Sequence, residues 1–277
     1  MYKARPYLLF ELEEGKTLLQ NNTSTVVLSN KQIVQFLMAL EQDKSLLNSA
    51  DALSEFFQNN THQVITFMLA NGIIYKEEVP ALAFKNVHIV SNLKIFSELF
   101  YKFSAGVFDN VYTVDIDLSG SNITEDDLCI VFLNPFELGE FEKLMGAIHK
   151  TNCIVKAIFC YNHSIYMANY HKPSWKNPCP KCFFYSLEAQ LRGKGTSHGG
   201  MNFQTLVDVI YLKDIKFNAQ AILEPYHLLG VINTLFNQLT HIRSFGDDVN
   251  LAHDFKLETG TVNADYTYHW EMCDCYE

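Results

Sequence analysis

The chain has 277 residues, 48% of them hydrophobic and 19% charged, which is the profile of a globular protein with material for two modest domains or one large one, not of a disordered chain. Lysine and arginine number 21 against 31 aspartates and glutamates, a formal net charge of −10; such a chain repels a phosphate backbone unless its positive charge gathers in one patch, and no such patch occurs. No apolar run reaches the roughly 18 residues needed to cross a bilayer. The apolar stretch after residues 1–6 is cut short by Glu11, Glu13 and Glu14, which is not the pattern of a signal peptide. The expectation is a cytoplasmic protein without membrane contact, whose thiols stay reduced and whose clustered cysteines favour metal over disulfide.

Residues 7–12 and 23–28 read as short strands on either side of a turn signal at Glu14-Gly15. Asn30 is placed to cap a helix in which Ile33, Phe36, Leu37 and Leu40 recur at i, i+3, i+4 and i+7. A second helix is expected after Ser49, carrying Leu53, Phe56 and Phe57. A third runs over 61–71 with Val64, Phe67 and Met68 on one face and Gly72 as its stop. A short strand at 73–75 follows. Strands, three helices and a strand within residues 1–80 make a small winged-helix-like domain, with 76–80 as its exit.

From residue 81 to 277 the pattern becomes an α/β domain. Strands are expected at 86–90, 111–116, 128–133, 154–159 and 164–168, with a helix marked by Leu93, Phe96, Phe100 and Phe103 and another over 137–150 after Asn134-Pro135. Residues 182–241 read as largely helical, interrupted at 193–200, with Pro225 opening the last helix. Strands return at 252–259 and 261–270.

The strongest motif is Cys179-Pro-Lys-Cys182 combined with Cys273-Asp-Cys275. Zinc takes four soft ligands at tetrahedral corners, and two residues between cysteines let both thiolates face one ion. Pro178 and Pro180 stiffen the first knuckle, and Cys182 falls at the start of a helix, where the dipole favours a thiolate. Four cysteine ligands leave no open coordination position, so the ion expected here is a structural Zn2+. The alternatives are two unrelated pairs, or a redox disulfide between Cys179 and Cys182. Cys129, Cys153 and Cys160 lie in apolar strands and read as inert core residues.

Several motifs point away from catalysis. No Gly-x-Gly-x-x-Gly follows the strand at 86–90 and no Walker A sequence occurs, so neither ATP nor flavin is expected on this chain. The glycine-rich stretch at 193–200 follows a helix and reads as a surface loop. The ten histidines do not cluster at ligand spacing. Asp115, Asp117, Glu125, Asp126 and Asp127 read as loop solvation and helix-start charges, and His241 and Arg243 as partners of a helix end. The third helix of the N-terminal domain contains no lysine or arginine, and only Lys31 and Lys44 are basic between 23 and 72, which argues against reading DNA.

The order of parts resembles the McbB-like subunits of microcin B17-type azole-forming peptide synthetases, which are E1/ThiF-like partners of YcaO proteins. The likeness rests on Asn177-Pro-Cys-Pro-Lys-Cys182, Phe183-Phe184, Leu187-Glu188 and the terminal His269-Trp270-Glu-Met-Cys-Asp-Cys275. It implies a winged-helix-like peptide-recognition domain followed by an E1-like domain that has lost its adenylating site. Such a subunit is noncatalytic. It binds the leader peptide of a bacteriocin or thiopeptide precursor and presents it to a YcaO-type cyclodehydratase, which forms azolines that a flavin-dependent dehydrogenase oxidises to thiazole or oxazole. A second copy of the chain is a further candidate partner. In that family the leader adds to the strand at 23–28; this makes Thr25, Val26, Val27 and Leu28 the expected peptide-binding edge and Val64, Phe67 and Met68 the wall of an adjoining groove. The competing readings are an E1-like enzyme that adenylates a carboxylate, and a zinc-stabilised transcription regulator.

Overall fold

In the computed structural model, which describes residues 2–47, 53, 56–76, 82–193, 203–213, 218–241 and 248–275, the chain divides into two units, Met1–Val79 and Pro80–Glu277. The first contains β1 (Tyr2–Ala4), β2 (Tyr7–Glu11), β3 (Thr17–Asn21), β4 (Thr25–Leu28), α1 (Lys31–Gln42), α2 (Thr61–Ala70) and β5 (Ile74–Lys76). The Asn30 side chain accepts from the backbone N–H groups of Gln32 and Ile33, satisfying two donors that the first turn of α1 leaves unpaired. The predicted stripe Ile33, Phe36, Leu37 and Leu40 is buried. Of the second predicted helix, Leu53, Phe56 and Phe57 are helical and both phenylalanines pack with ring centroids 5.1 Å from Phe36; Ser49 lies outside the described residues.

Two strands of this unit carry no periodic signal. In β3 the adjacent Leu18 and Leu19 point to opposite faces, so the strand alternates without looking alternating; Leu19 is buried and Leu18 half-buried. β1 pairs antiparallel with β5, Tyr2 opposite Lys76 and Ala4 opposite Ile74, a contact no local window can reveal. Gly72 ends α2 with φ +61, and a Cβ there would run into Thr23 Oγ1, so both backbone conformation and the close approach of the β3–β4 turn require glycine.

The second unit is built on a seven-stranded sheet. Its elements are β6 (Val87–Ser91), α3 (Lys94–Ser104), β7 (Val111–Val114), β8 (Leu128–Leu133), α4 (Leu138–His149), β9 (Ile154–Tyr161), β10 (Ser164–His171), α5 (Pro180–Gly193), α6 (Phe203–Leu212), α7 (Pro225–His241), β11 (Leu251–Lys256) and β12 (Val262–Tyr266). The sheet order is β12-β11-β10-β9-β8-β6-β7. Strands β7, β6, β8 and β9 run parallel, and β9 to β12 pair antiparallel. β8, β9 and β10 are buried along their whole length, as expected for strands covered on both faces. One face packs against α3 and α7 through Phe96, Phe100, Val231 and Leu235. The other packs against α4 and α5 through Phe141, Leu144, Phe184 and Leu187. The glycine-rich residues 194–200 lie outside the described residues.

Lys156 breaks the apolar run of β9. Its amine is fully buried without a hydrogen-bond partner, 4.3 Å from the centroid of the Tyr170 ring, and burial pushes its pKa down from 10.5 to about 7. Between those two values the unfolded chain holds a proton that the folded chain does not, so stability rises with pH over that interval, and below it the full penalty applies. Replacing Lys156 with methionine should raise the thermal midpoint most at pH 6–7 and flatten its climb above pH 7. Parallel pH profiles for both proteins would refute this account of the buried amine.

Candidate functional site

Four cysteine sulfurs meet where the end of β10, the start of α5 and the C-terminal tail converge. Asn169 Nδ2 donates to the Pro178 carbonyl at 2.7 Å, and Asn177 Nδ2 donates to Tyr170 O at 2.7 Å and to Asn250 Oδ1 at 3.0 Å. These bonds fix the knuckle before Cys179. Pro180 then opens α5, where its missing N–H costs nothing, and Cys182 lies in the first turn. On the tail, Cys273 N donates to Trp270 O at 2.9 Å, and Trp270 lies 6.4 Å from the Tyr185 ring.

The sulfurs are 3.8 Å apart for Cys179–Cys182, 3.6 Å for Cys179–Cys273 and 3.4 Å for Cys182–Cys275. All four lie within 4.8 Å of one another. A tetrahedron of sulfurs about 2.3 Å from a central ion has edges of about 3.8 Å, so the cluster has the size of a four-thiolate metal site. Cys179, Cys182 and Cys273 are buried and Cys275 is half-buried. The Cys179 thiol hydrogen-bonds to Cys182, which lowers the Cys182 thiol and raises that of Cys179. Among the described residues no other group of three or more His, Cys, Asp or Glu side chains converges in this way. The remaining cysteines, Cys129, Cys153 and Cys160, are buried in the sheet core.

In the first unit β4 stands at the edge of the sheet β2-β3-β4. Asn21 N donates to Ser24 O at 3.0 Å, which makes those residues the bonded pair that closes the turn. Bonded and non-bonded pairs alternate along an antiparallel ladder. In the register Gln20↔Thr25, Leu19↔Val26, Leu18↔Val27, Thr17↔Leu28, Val26 and Leu28 therefore bond to β3, while Thr25 and Val27 turn their N–H and C=O groups to the outer edge. The turn is tied to the end of α2, because Ser24 Oγ donates to Asn71 O at 2.6 Å and Asn21 Nδ2 to Gly72 O at 3.2 Å. Of the expected wall residues, Val64 and Met68 are buried in the core of the unit, as is Leu28 of the expected edge. Phe67 and Val26 are half-buried.

In open α/β sheets ligands bind outside the carboxyl ends of the strands where strand order reverses. Here that point lies between β6 and β8, whose ends are followed by Asn92 and Asn134. Asn134 N donates to Asn92 Oδ1 at 2.8 Å and Asn92 Nδ2 to Pro135 O at 2.7 Å. Asn134 also exchanges two bonds of 2.9 Å with the backbone of Ala221, and Phe136 pairs with Ala219 through two more of 2.8 Å. The segment before α7 thus closes the crevice. Sequence reasoning took Asn134-Pro135 only as a helix start, since its distant partner gives no local signal. Asp127 needs a correction too. Expected as a solvated or helix-start charge, it is buried ahead of a strand. Burial pushes its carboxyl up, but bonds from Thr124 and Asn86, with His88 3.3 Å away, hold it below the usual range.

The family model described as microcin B17-processing protein McbB matches residues 2–277. The chain belongs to the McbB family. A chain of the E. coli microcin synthetase McbBCD complex with pro-MccB17 bound superposes with a TM-score of 0.71 at 16% identity, covering 100% of this chain and 99% of that one. A chain of the E. coli McbBCD complex gives 0.57 at 16%, covering 99% and 100%. A heterocyclase in complex with substrate and cofactor gives 0.55 at 10%, covering 99% of this chain but 39% of that one. At these identities the superpositions show a shared fold alone. No curated protein matches in sequence, and no helix among the described residues is long and apolar enough to cross a membrane.

The cysteine geometry of this McbB-family chain predicts that cobalt(II) added to reduced, metal-stripped protein will saturate at one equivalent, with the intense thiolate charge-transfer band of a tetrahedral sulfur site. Cys182→Ser and Cys273→Ser should abolish saturation at that ratio. An unsaturating, weak spectrum from the wild-type chain would refute it.

Proposed function

We propose that the chain is the noncatalytic scaffold subunit of an azole-forming peptide synthetase, which binds a precursor's leader peptide and presents it to a YcaO-type cyclodehydratase, with a flavin-dependent dehydrogenase completing the assembly. The observation that carries this reading is the McbB family match over residues 2–277, joined by the fold shared with a chain of a complex that has pro-MccB17 bound. Residues 1–80 act as a winged-helix-like recognition domain. The leader pairs with the edge of β4 through the N–H and C=O groups of Thr25 and Val27, with Val26 and Phe67 beside it. Residues 81–277 form an E1/ThiF-like domain, and the crevice closed by Asn92, Asn134 and Ala221 supports the absence of adenylation. The ion of the cysteine cluster is zinc, in keeping with four thiolates in a tetrahedron and no open position. The protein works in the cytoplasm, where these thiols stay reduced.

Two measurements test the reading. Fluorescence anisotropy of the full chain with the labelled leader of the precursor encoded beside it should show saturable binding. Thr25→Pro removes an outward N–H and should weaken binding about three- to tenfold, the worth of one net hydrogen bond, with the melting temperature little changed. Val26→Pro removes a bond to β3 and should destabilise the unit itself. Absence of binding by the wild-type chain, with its partner enzyme present, would remove the leader-binding role. Calorimetry with ATP and magnesium should give no heat of binding; pyrophosphate exchange by the isolated chain would replace the scaffold reading with adenylation.

A further inference from the structure

The outer face of the three-stranded sheet in the first unit is apolar where solvent should favour polar residues. β2 pairs Phe10 with Leu18 and Leu8 with Gln20, and β3 pairs Leu18 with Val27 and Gln20 with Thr25. One row across the sheet therefore reads Phe10–Leu18–Val27, and the next Leu8–Gln20–Thr25. Phe10 is 46%, Val27 53% and Leu8 60% exposed. The inner face is conventional, with Leu19 and Leu28 buried. An edge strand with exposed β-branched and aromatic neighbours is an aggregation hazard unless it is covered.

The row ends at Val27, one of the two residues that turn their backbone donors and acceptors outward. A strand paired there places the residue opposite Val27 on the same face as Val27, because directly opposed side chains share a face. That residue becomes the fourth member of the row, while the residue opposite Val26 turns to the inner face. The occupant that satisfies both features is an extended peptide, since only a strand can meet the outward N–H and C=O groups of Thr25 and Val27 in register.

We propose that Val27, with Leu18 beside it, determines specificity on the outer face, selecting peptides with an aliphatic or aromatic residue at the position paired with Val27. This rests on the strand-addition reading above and adds a second recognition surface, on the face of the sheet opposite the one toward which Val26 and Leu28 point. Chemically, the selected segment is an extended stretch with an apolar outward residue opposite Val27 and a small or β-branched one two positions away, opposite Thr25.

The test uses the full chain and the labelled leader peptide, with Val27→Thr and Leu18→Thr, which introduce a β-forming side chain but remove outward apolar surface. Each variant should bind about three- to tenfold more weakly than wild type at an unchanged melting temperature. In an alanine scan of the leader, one aliphatic or aromatic position should lose its effect when combined with Val27→Thr. If both variants bind like wild type while Thr25→Pro weakens binding, strand addition stands and the outer-face inference falls. If Thr25→Pro also binds like wild type, the strand-addition reading fails and takes this inference with it. Should sedimentation show a concentration-dependent dimer that Val27→Thr dissolves without affecting the leader, the face belongs to a second copy and the inference is overturned.

Discussion

A backbone amide or carbonyl withdrawn from water has to find a partner, and an edge strand offers a row of them to whatever arrives. In the first unit β3 takes the inward half of β4's groups and leaves the outward half, at Thr25 and Val27, on the surface. Much else in the unit keeps this edge in a fixed place. The β3–β4 turn is fastened to the end of α2 by Asn21 and Ser24, and Gly72 allows that approach where a Cβ would collide with Thr23. The Asn30 cap starts α1 two residues after β4 ends, so the strand is anchored at both ends. An edge held in this way would lose little freedom on pairing with an added strand, the preorganisation that turns a short row of hydrogen bonds into usable affinity.

The same requirement works in the opposite sense in the second unit. There, asparagine side chains supply backbone groups with partners at two junctions between elements. Asn92 and Asn134 fill the point at which strand order reverses, and Asn134 pairs with Ala221 as a strand neighbour would. Asn169 and Asn177 do comparable work between β10 and the knuckle of Cys179. Neutral amides suit both places because each offers donor and acceptor at once without the desolvation cost of a charge.

How much of this was legible in the sequence follows from the range of each interaction. Helix α1, with its cap and its Ile33, Phe36, Leu37 and Leu40 stripe, was readable because cap and stripe are local. β8 was read to its exact ends, since a strand buried on both faces is a continuous apolar run bounded by polar residues. The cysteine cluster was readable from spacing, although its two halves lie 94 positions apart, because soft ligands are rare and pair conspicuously. β1 and β3 were missed, the first because its partner is β5, the second because Leu18 and Leu19 mask the alternation. The shared face of Val64 and Met68 was legible from spacing, but not how much of it the unit's own core covers, which depends on residues distant in sequence. The reading of Asp127 as solvated failed because its partners, Asn86 and His88, arrive from another strand.

The cysteine cluster differs from both the edge and the amide closures because its parts do not attract one another. Four thiols near 4 Å apart make only weak hydrogen bonds, and four thiolates would repel. Contacts of the tail in this region include Trp270 near Tyr185 and His269 Nε2 with Lys176 O at 3.1 Å. A divalent ion would outweigh that repulsion by its attraction for each sulfur, and binding confined to the folded chain would add its free energy to folding. With such an ion the stretch from Cys273 to Cys275 would be held by coordination as well as by packing. Cys182, in the first turn of α5 and lowered by the Cys179 thiol that donates to it, is the member of the set most readily present as a thiolate.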